Sequence, residues 1–496
     1  MPFTAHWIFG LAFSAALIPP ASAAAHRDLA CTIAAGGCDA VIGSGSGVIW
    51  IRESDPPPAP LTDYAGKTLC IRNGTYSGIW LEHVIAAEAA PLTITNCGGQ
   101  VVSKPPAGQP ANPIAIGKYS RYIRLSGTGS IAHTYGLVAW SIHPEQHMID
   151  IAGGASDVAL EYLEIRGNDS GGVAAQLTGG VGISYKTYPN CTTGEFTAAN
   201  WALHGVDIEH VYVHDTLREG MYIGPSHYGS VPANGYTPGW ACPGGVILAE
   251  APVRGLAIIR DNRVENIGND AIQLSAAIDG FAVENNVVRN YGLNVDSSHS
   301  AGIQIGTGSI GIANANWIEN AQPRQTQGIK HGGNGDTWYT NNIIAGAADG
   351  IMLLRNSDVN VGLDLPVVHV YHNTVVGSSS IGMSYWCNYN KVIRAANNLI
   401  ASGQGVPHAA GGEQGSSCFD QALLTPYNGF FGSVGAAQFV APAELDFRLL
   451  PNSPAVGAGF DLTGSVATDF FGATRTAPFD FGAIGFADLI FASGFD

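Results

Sequence analysis

The sequence predicts an all-β protein, a right-handed parallel β-helix (β-solenoid) with inserted loops and a short C-terminal cap. Three observations predict it: a composition suited to turns, an Asn-x-apolar motif that recurs along the chain, and a Gly-apolar-x-apolar run between its copies. The 496 residues include 65 Gly and 27 Pro, and only 12% are charged. Gly and Asn tolerate the left-handed backbone of tight turns, so many short strands are expected.

The Asn-x-apolar motif sets the repeat. It occurs in "DNRVEN", "ENNVVRN", "ANANWIEN", "YTNNIIAG", "VYHNTVVG" and "AANNLIAS", with its asparagines at Asn262, Asn286, Asn316, Asn342, Asn373 and Asn398. Units of about 25 residues that hold short strands can bury their apolar faces only by stacking, which predicts coils of parallel strands. An Asn at the same corner of each coil can pass side-chain hydrogen bonds along the stack.

The second run predicts a surface. It reads "GISYK", "GMYIG", "AIQLS", "GIQIG", "GIKHG", "GIMLL" and "GMSYW". Strand alternation sends the x position outward, giving a column of Ser184, Tyr222, Gln273, Gln304, Lys330, Met352 and Ser384. With adjacent strands about 4.8 Å apart, Tyr222 and Lys330 would lie about 14 Å apart, enough for two or three sugars. The column is therefore interpreted as a polysaccharide groove, with an ordinary solvated sheet face as the alternative.

The first residues predict export. An apolar stretch, "HWIFGLAFSAALIPPASA", ends in a small-x-small cleavage pattern, although no Lys or Arg precedes Arg27. The expected organisation is a signal peptide at 1–23, an N-terminal cap at 24–60, the β-helix at 61–440 and a C-terminal capping segment or tail at 441–496. The protein is thus expected to be secreted or on the cell surface, and to be a monomer.

The net charge and the cysteines indicate which partners and which compartment the protein is suited to. A formal charge of −17 opposes binding to nucleic acid. No other stretch approaches the ~18 apolar residues of a membrane span. Eight cysteines fit an exported chain. Sequence alone does not fix their connectivity; pairing neighbours gives Cys31–Cys38, Cys70–Cys97, Cys191–Cys242 and Cys387–Cys418.

These repeats give the chain a family resemblance. Over about residues 60–440 it resembles the secreted bacterial right-handed parallel β-helix proteins of the pectate-lyase-like superfamily. The closing "DFRLLPNSPAVGAG" and "TDFFGATRTAPFDFGAIGF" resemble the C-terminal finish common among them. That superfamily holds lyases, hydrolases, epimerases and adhesins, so the resemblance implies a fold and leaves the activity open.

The stretch "HDTLREGMYIGPSHY", residues 214–228, gathers charged and aromatic residues in a chain that has few. It predicts a site where His214, Asp215, Arg218, Glu219 and Tyr222 converge beside Lys186 and an aromatic insertion at 225–254 that carries Tyr228, Tyr236 and Trp240. If His210 occupies the corner that Asn fills in other coils, His214 takes the position equivalent to Asn266, Asn290 and Asn320. Glu219 takes the turn position of Asp270 and Asp349, which is also compatible with a purely structural role. His331 is expected to point into the core.

β-Elimination on a uronic-acid polysaccharide is the chemistry we expect. The resemblance to β-helix lyases implies a base next to the substrate carboxylate, and Lys186 or Lys330 could serve, with Tyr222 or His214 as the acid. Arg218 could pair with that carboxylate, and Asp215 with Glu219 could hold Ca²⁺. Substrate contacts are expected from Gln273, Gln304, Tyr228 and Trp240.

Two alternatives stay open. A glycoside hydrolase needs paired carboxylates, and Glu219 with Asp270 is the pair to test. Against it, Asn269 stands where β-helix galacturonan hydrolases would have an aspartate, and His299 is followed by Ser300 instead of Gly. The other alternative is a non-catalytic surface protein that binds glycan or mediates adhesion.

Overall fold

The computed structural model describes residues 25–34, 37–52, 55–168, 172–228, 239–296, 298–320, 325–332, 336–354, 367–386, 392–411, 418, 420 and 426–486. The regular structure of these residues is β-strand, with short 3₁₀ turns at Ala174–Gln176, Pro243–Gly245, Val434–Ala437 and Pro442–Glu444. The expected signal peptide at 1–23 and the last residues of the expected tail lie outside the described residues. The described residues contain no helix with the length and apolar character needed to cross a membrane.

Three sheets of parallel strands wrap the chain into successive coils. Sheet A consists of Ala40–Ile42, Arg121–Ser126, Ser156–Glu161, Val206–Glu209, Ala257–Arg260, Phe281–Glu284, Gly311–Asn314, Thr337–Thr340, Val367–Tyr371 and Val392–Ala396. Sheet B consists of Leu137–Trp140, Leu163–Arg166, Tyr212–Thr216, Arg263–Ile267, Val287–Arg289, Trp317–Glu319, Ile343–Ala345, Thr374–Val376, Leu399–Ala401 and Gly429–Phe431. The long strands Thr68–Tyr76 and Leu92–Ser103 join sheets A and B into one.

Sheet C carries the predicted groove. It consists of Val48–Ile51, Gly78–Glu82, Ile114–Gly117, Ile149–Ile151, Ile183–Tyr185, Met221–Ile223, Ile272–Leu274, Ala301–Ile305, Gln327–His331, Asp349–Leu353, Ile381–Trp386 and Val406–Gly411. Three short pairs lie outside the sheets: Leu203–His204 with Val253–Arg254, Trp240–Ala241 with Ile247–Leu248, and Phe439–Ala441 with Asp446–Leu449. The predicted parallel β-helix is confirmed.

The core is a stack of apolar side chains inside the coils. Along sheet C, Met221, Ile272, Ile303, Ile329 and Ile351 pair in register, and all are buried. Burying one such side chain stabilises the fold by about 1.5–3 kcal/mol. Since each residue packs against its equivalents in the coils above and below, no coil could bury this face alone.

The asparagine ladder is confirmed. At the corner between sheets A and B, the Nδ2 of each Asn donates to the Oδ1 of the next at 2.8–2.9 Å. The ladder runs through Asn262, Asn286, Asn316, Asn342, Asn373, Asn398 and Asn428, one residue beyond the predicted set. Each Oδ1 also accepts a backbone N–H, so the ladder satisfies buried polar groups of the turn.

The predicted register at His214 is wrong by one residue. Val211 occupies the position next to Asn262, and its backbone N–H donates to the Asn262 Oδ1 at 3.0 Å. His214 therefore pairs with Glu265, and Asp215 takes the left-handed corner of Asn266, with φ of 57° at both residues. A shift of one residue in a strand moves a side chain to the opposite face, which turns His214 outward from sheet B.

Two of the predicted disulfides are wrong and one is confirmed. The bonds are Cys31–Cys97, Cys38–Cys70 and Cys191–Cys242. The N-terminal bonds are nested, with Cys38–Cys70 inside Cys31–Cys97, because Ala40–Ile42 joins sheet A beside Thr68–Tyr76, while Leu29 accepts a backbone hydrogen bond from Gly98. Cys418 is also disulfide-bonded, but the predicted Cys387–Cys418 pair involves Cys387, which lies outside the described residues.

Candidate active site

The outward column of sheet C has the predicted register. Ser184, Tyr222, Gln273, Gln304 and Lys330 pair in order without an intervening coil, followed by Met352 and Ser384. Most of this face is covered: Ser184, Gln273 and Lys330 are all buried. The column is thus the floor of a site under loops. His331, on the opposite side of its strand, is fully buried with its Nδ1 2.8 Å from the Tyr339 hydroxyl, which confirms its inward prediction.

Lys186 lies directly over the column. It follows the strand Ile183–Tyr185, and its backbone N–H continues the parallel pairing by donating to the Ile151 carbonyl at 3.1 Å. The side chain therefore points outward, two residues beyond Ser184. Its ammonium lies 2.9 Å from the centre of the Tyr222 ring and 4.9 Å from that of Tyr188, and only 6% of the residue is exposed.

The burial of Lys186 favours a neutral amine. Burial lowers the pKa of Lys186 to about 7, although the carboxylates of Glu219, Glu250 and Asp150 act in the opposite direction. Burial has this effect because a desolvated ammonium loses its hydration. Close to neutral pH, a large fraction of Lys186 therefore carries no proton and can accept one.

Tyr222 is hydrogen-bonded on the same floor. Its hydroxyl lies 2.6 Å from the Ser226 Oγ, which also accepts a hydrogen bond from the Gln273 Nε2 at 3.0 Å. Thr307 donates to the Ser226 carbonyl at 3.2 Å and ties this segment to the coil two positions further along. Burial raises the pKa of Tyr222 to about 12, so its phenol keeps a proton at neutral pH.

Two loops cover Lys186 and Tyr222. The ring of Tyr188, after the Lys186 strand, stacks on that of Trp240 at 4.1 Å, and the Cys191–Cys242 disulfide ties the same loops together. Of the aromatic residues predicted on the insertion, Trp240 is therefore beside the site. Tyr228 packs next to Gly308, two coils further along, and Tyr236 lies outside the described residues.

A second group of side chains lies at the entrance of the sheet C strands. The Nδ1 of His299 lies 3.5 Å from the Glu219 Oε1 and 3.3 Å from the Asp270 Oδ2, and the Asn269 Nδ2 donates to the same Glu219 oxygen at 3.2 Å. The contact with Asp270 raises the pKa of His299, while complete burial raises that of Asp270. The other oxygen of Asp270 accepts the Ala301 backbone N–H at 2.7 Å, a turn contact. Asp349 makes the equivalent contact with Ile381.

Lys330 is held further along the column. Its ammonium donates to the Ser298 carbonyl at 2.5 Å, and burial lowers its pKa while Asp270 and Asp296 oppose that change. Gln304 separates it from Gln273 on the floor. The two predicted candidate bases thus occupy different places, and only Lys186 contacts Tyr222.

His214 and Asp215 belong to another surface. The His214 Nδ1 lies 2.7 Å from Asp215 and its Nε2 3.3 Å from Glu164, while its ring stacks on Tyr212 on the outside of sheet B. The structure therefore does not bring these two residues to Lys186. Hydrogen bonds to the Asp215 and Glu164 carboxylates raise the pKa of His214 despite its burial.

Asp215 and Glu219, the predicted calcium ligands, have separate partners. Asp215 binds His214, whereas Glu219 contacts Asn269 and His299. Across the described ranges, no three His, Cys, Asp or Glu side chains are grouped so that they could hold a metal ion. This pair does not fit calcium as it stands, so no step is assigned to the ion.

Arg218 is available at the rim. Its side chain is 48% exposed and lies 3.4 Å from the exposed Glu145, a contact of little energetic weight. An anion arriving at this edge could replace Glu145, because both partners are in solvent.

Sequence reasoning missed Asp150, Glu250, Tyr188 and Ser226. Asp150 is the outward residue of Ile149–Ile151 and pairs with Ser184, so extending the predicted column by one coil would have found it. Glu250 is the single acidic residue of the 225–254 insertion, which is a usable signal. Tyr188 and Ser226 follow strands as ordinary loop residues, and no pattern separates them from their neighbours.

Comparisons with known proteins find likeness to solved structures and none to a family model or a curated sequence. No family model matches the chain, and no curated protein matches it in sequence. Among solved structures, pectate lyase Pel9A is similar with a TM-score of 0.44 and 13% identity, over 89% of this chain and 97% of that chain. The GH136 lacto-N-biosidase from Eubacterium ramulus has a TM-score of 0.41 and 12% identity, over 78% and 68%. A variant of the periplasmic alginate epimerase AlgG has a TM-score of 0.34 and 11% identity, over 74% and 81%. The chain has the right-handed parallel β-helix fold that its repeats predict, as its parallel sheets A, B and C show.

Proposed function

We propose that the protein is a polysaccharide lyase that cleaves a uronic-acid-containing glycan by β-elimination. The observation that carries the proposal is Lys186, a buried lysine over the Tyr222 ring with a pKa lowered to about 7. A general base works best when its pKa is close to the working pH, so this lysine has the required property. Tyr222 supplies the protonated partner on the same face of sheet C.

The reaction moves two protons: Lys186 removes one from the substrate, and Tyr222 donates one to the leaving group. The neutral Lys186 amine removes the proton from the carbon next to the substrate carboxylate. The electron pair of that C–H bond forms a carbon–carbon double bond as the bond to the glycosidic oxygen breaks. Tyr222 gives its proton to the departing oxygen, and the Ser226 hydroxyl, 2.6 Å from the phenol oxygen, can donate to the phenolate that remains. A proton passed from the Lys186 ammonium to this phenolate resets the site.

Residues at the rim and on the floor of the site would bind the substrate. Arg218 can pair with the uronate carboxylate, whose charge must be offset as the intermediate forms. Gln273 and Gln304 present amides to sugar hydroxyls, and the stack of Tyr188 and Trp240 borders the site with aromatic surface. The disulfides of the described residues fit an exported protein, so we propose secretion and an extracellular polysaccharide as partner. The monomeric state and the calcium requirement stay predictions.

The test is the ultraviolet absorbance of the unsaturated uronate product, measured over pectate, alginate, glycosaminoglycan and bacterial exopolysaccharide substrates, with Ca²⁺ and with EDTA. Lys186→Ala should lower the rate about 10²–10⁴-fold, the typical contribution of a general base. Lys330→Ala is the matched control, since it removes a buried lysine of the same face that does not contact Tyr222. An unchanged rate in Lys186→Ala would refute the assignment of the base. Loss of activity with EDTA that added Ca²⁺ restores would establish the calcium requirement.

A glycoside hydrolase is the second candidate, and His299 is the observation that favours it. Since Glu219 and Asp270 both lie within 3.5 Å of the same nitrogen, their carboxyls are close enough for paired-carboxylate chemistry. The complete burial of Asp270 and its turn contact count against an acid that must reach substrate. New reducing ends without ultraviolet absorbance, abolished by Glu219→Gln, would establish the hydrolase. Glycan binding without either product would establish a binding protein.

A further inference from the structure

The two loops over Lys186 are joined at three points. The first loop follows Lys186, at residues 187–202, and the second covers residues 239–252. The Cys191–Cys242 disulfide joins them, the rings of Tyr188 and Trp240 stack at 4.1 Å, and Ala198 donates a backbone hydrogen bond to Ala249 at 3.0 Å. Each half-cystine lies within three residues of one of the stacked rings. The disulfide and the ring stack, which are together called the clamp, thus join the two loops at neighbouring points.

The clamp closes the space around the lysine ammonium. Tyr222 lies beneath the ammonium at 2.9 Å, and Tyr188 lies beside it at 4.9 Å. Tyr188 itself is 38% exposed, so it forms the boundary between the ammonium and solvent. Trp240 contacts the Tyr188 ring from the second loop, and the disulfide restricts how far the loops can separate. Opening the clamp would let water reach an amine that is now almost fully covered.

We propose that the clamp, formed by Cys191–Cys242 and Tyr188–Trp240, positions the loops so that Lys186 stays dry and serves as a base at neutral pH. The proposal rests on the proposed function, because it assigns the clamp to the base of that reaction. Cys191, Cys242, Tyr188 and Trp240 are positioning residues in this role, since they act through Lys186.

The surrounding charges make exclusion of water decisive. Glu219 from the turn, Glu250 from the second loop and Asp150 from the preceding coil all favour the protonated lysine. Glu250 is itself held by the His227 backbone N–H at 2.8 Å, and Asp150 lies 2.9 Å from the His147 Nδ1. The Tyr222 and Tyr188 faces also favour a cation. Desolvation is the single influence on the other side, so a hydrated Lys186 would hold its proton well above neutral pH.

The experiment measures the protonation of Lys186 without relying on activity. The protein is treated with an amine-acylating reagent across a pH series, and the modification rate of the Lys186 peptide is read by mass spectrometry. The midpoint of the rate against pH gives the pKa, independently of how accessible the lysine is. In the Cys191→Ser/Cys242→Ser double variant and in Tyr188→Ala, the midpoint should rise by about one unit or more, which leaves at least about fivefold less neutral amine at pH 7. The matched control is Cys31→Ser/Cys97→Ser, which removes a disulfide far from the site and should leave the midpoint unchanged.

Two further readouts separate positioning from misfolding and from failure of the lyase assignment. Tyr188→Phe keeps the ring and should retain the wild-type midpoint, and far-ultraviolet circular dichroism should show the β-helix in every variant. On a cleaved polymer, the clamp variants should lose about fivefold or more in kcat/KM at pH 7 and recover it at higher pH. A midpoint that does not move in folded clamp variants overturns the inference. A shifted midpoint in a protein that cleaves none of the polymers upholds the effect of the clamp on Lys186 and refutes the proposed function.

Discussion

Replacing one asparagine of the ladder should destabilise the protein by an amount that its contacts define. In Asn286→Ala, the Ile259 carbonyl loses the donor that reaches it at 2.9 Å, and the Asn262 backbone N–H loses the acceptor at 3.2 Å. All three residues are buried, so water cannot replace these partners. Each stranded group costs about 1–3 kcal/mol, and the expected loss of unfolding free energy is therefore about 2–6 kcal/mol. Urea unfolding followed by tryptophan fluorescence measures it as a lower midpoint at an unchanged m-value.

The adjacent residue provides a matched control. Asn285 is exposed and has a φ of 54°, a left-handed conformation that Gly adopts freely. Asn285→Gly should change the free energy of unfolding by less than about 1 kcal/mol. If Asn286→Ala were no less stable than Asn285→Gly, the ladder would not contribute to stability as its hydrogen bonds imply.

Three other outcomes are expected. The rate of cleavage, kcat/KM, should rise with pH through about 7 and then level, because only the unprotonated Lys186 can accept a proton; a flat profile in that range would contradict this role. Tyr222→Phe keeps the ring beneath the ammonium but removes the acid, so kcat should fall about 10²–10⁴-fold, and a smaller loss would exclude Tyr222 as the proton donor. Burial lowers the pKa of His369 to about 4, so the folded state binds a proton less readily than the unfolded chain. Its contribution to stability is full above the unfolded pKa and is lost as pH falls from about 6.5 towards 4. Thermal unfolding at several pH values should therefore show that stability declines less steeply with falling pH in His369→Gln than in the wild type. Equal slopes in the two proteins would contradict the assignment.

The candidate site could be predicted from sequence only where strand alternation governs it. The run of Gly-apolar-x-apolar segments placed Tyr222, Gln273, Gln304 and Lys330 in one outward column, and the strand pairings confirm each step. Alternation is local and has a period of two, so a repeated pattern is sufficient to assign the face. At His214, where no Gly marks the strand, the corner was misplaced by one residue and the side chain belongs to another sheet.

By itself, the sequence determined the coil architecture, the asparagine ladder and the floor of the site, because each follows from a motif that every coil repeats. Only the tertiary structure decided which lysine is desolvated, which carboxylates face it and which cysteines pair. Lys186 owes its lowered pKa to burial under the covering loops, and Glu250, which the insertion brings close to it, is one of the carboxylates that oppose this change. Desolvation and charge depend on what is close in space, and the loops that create this closeness carry no repeat from which it could be predicted.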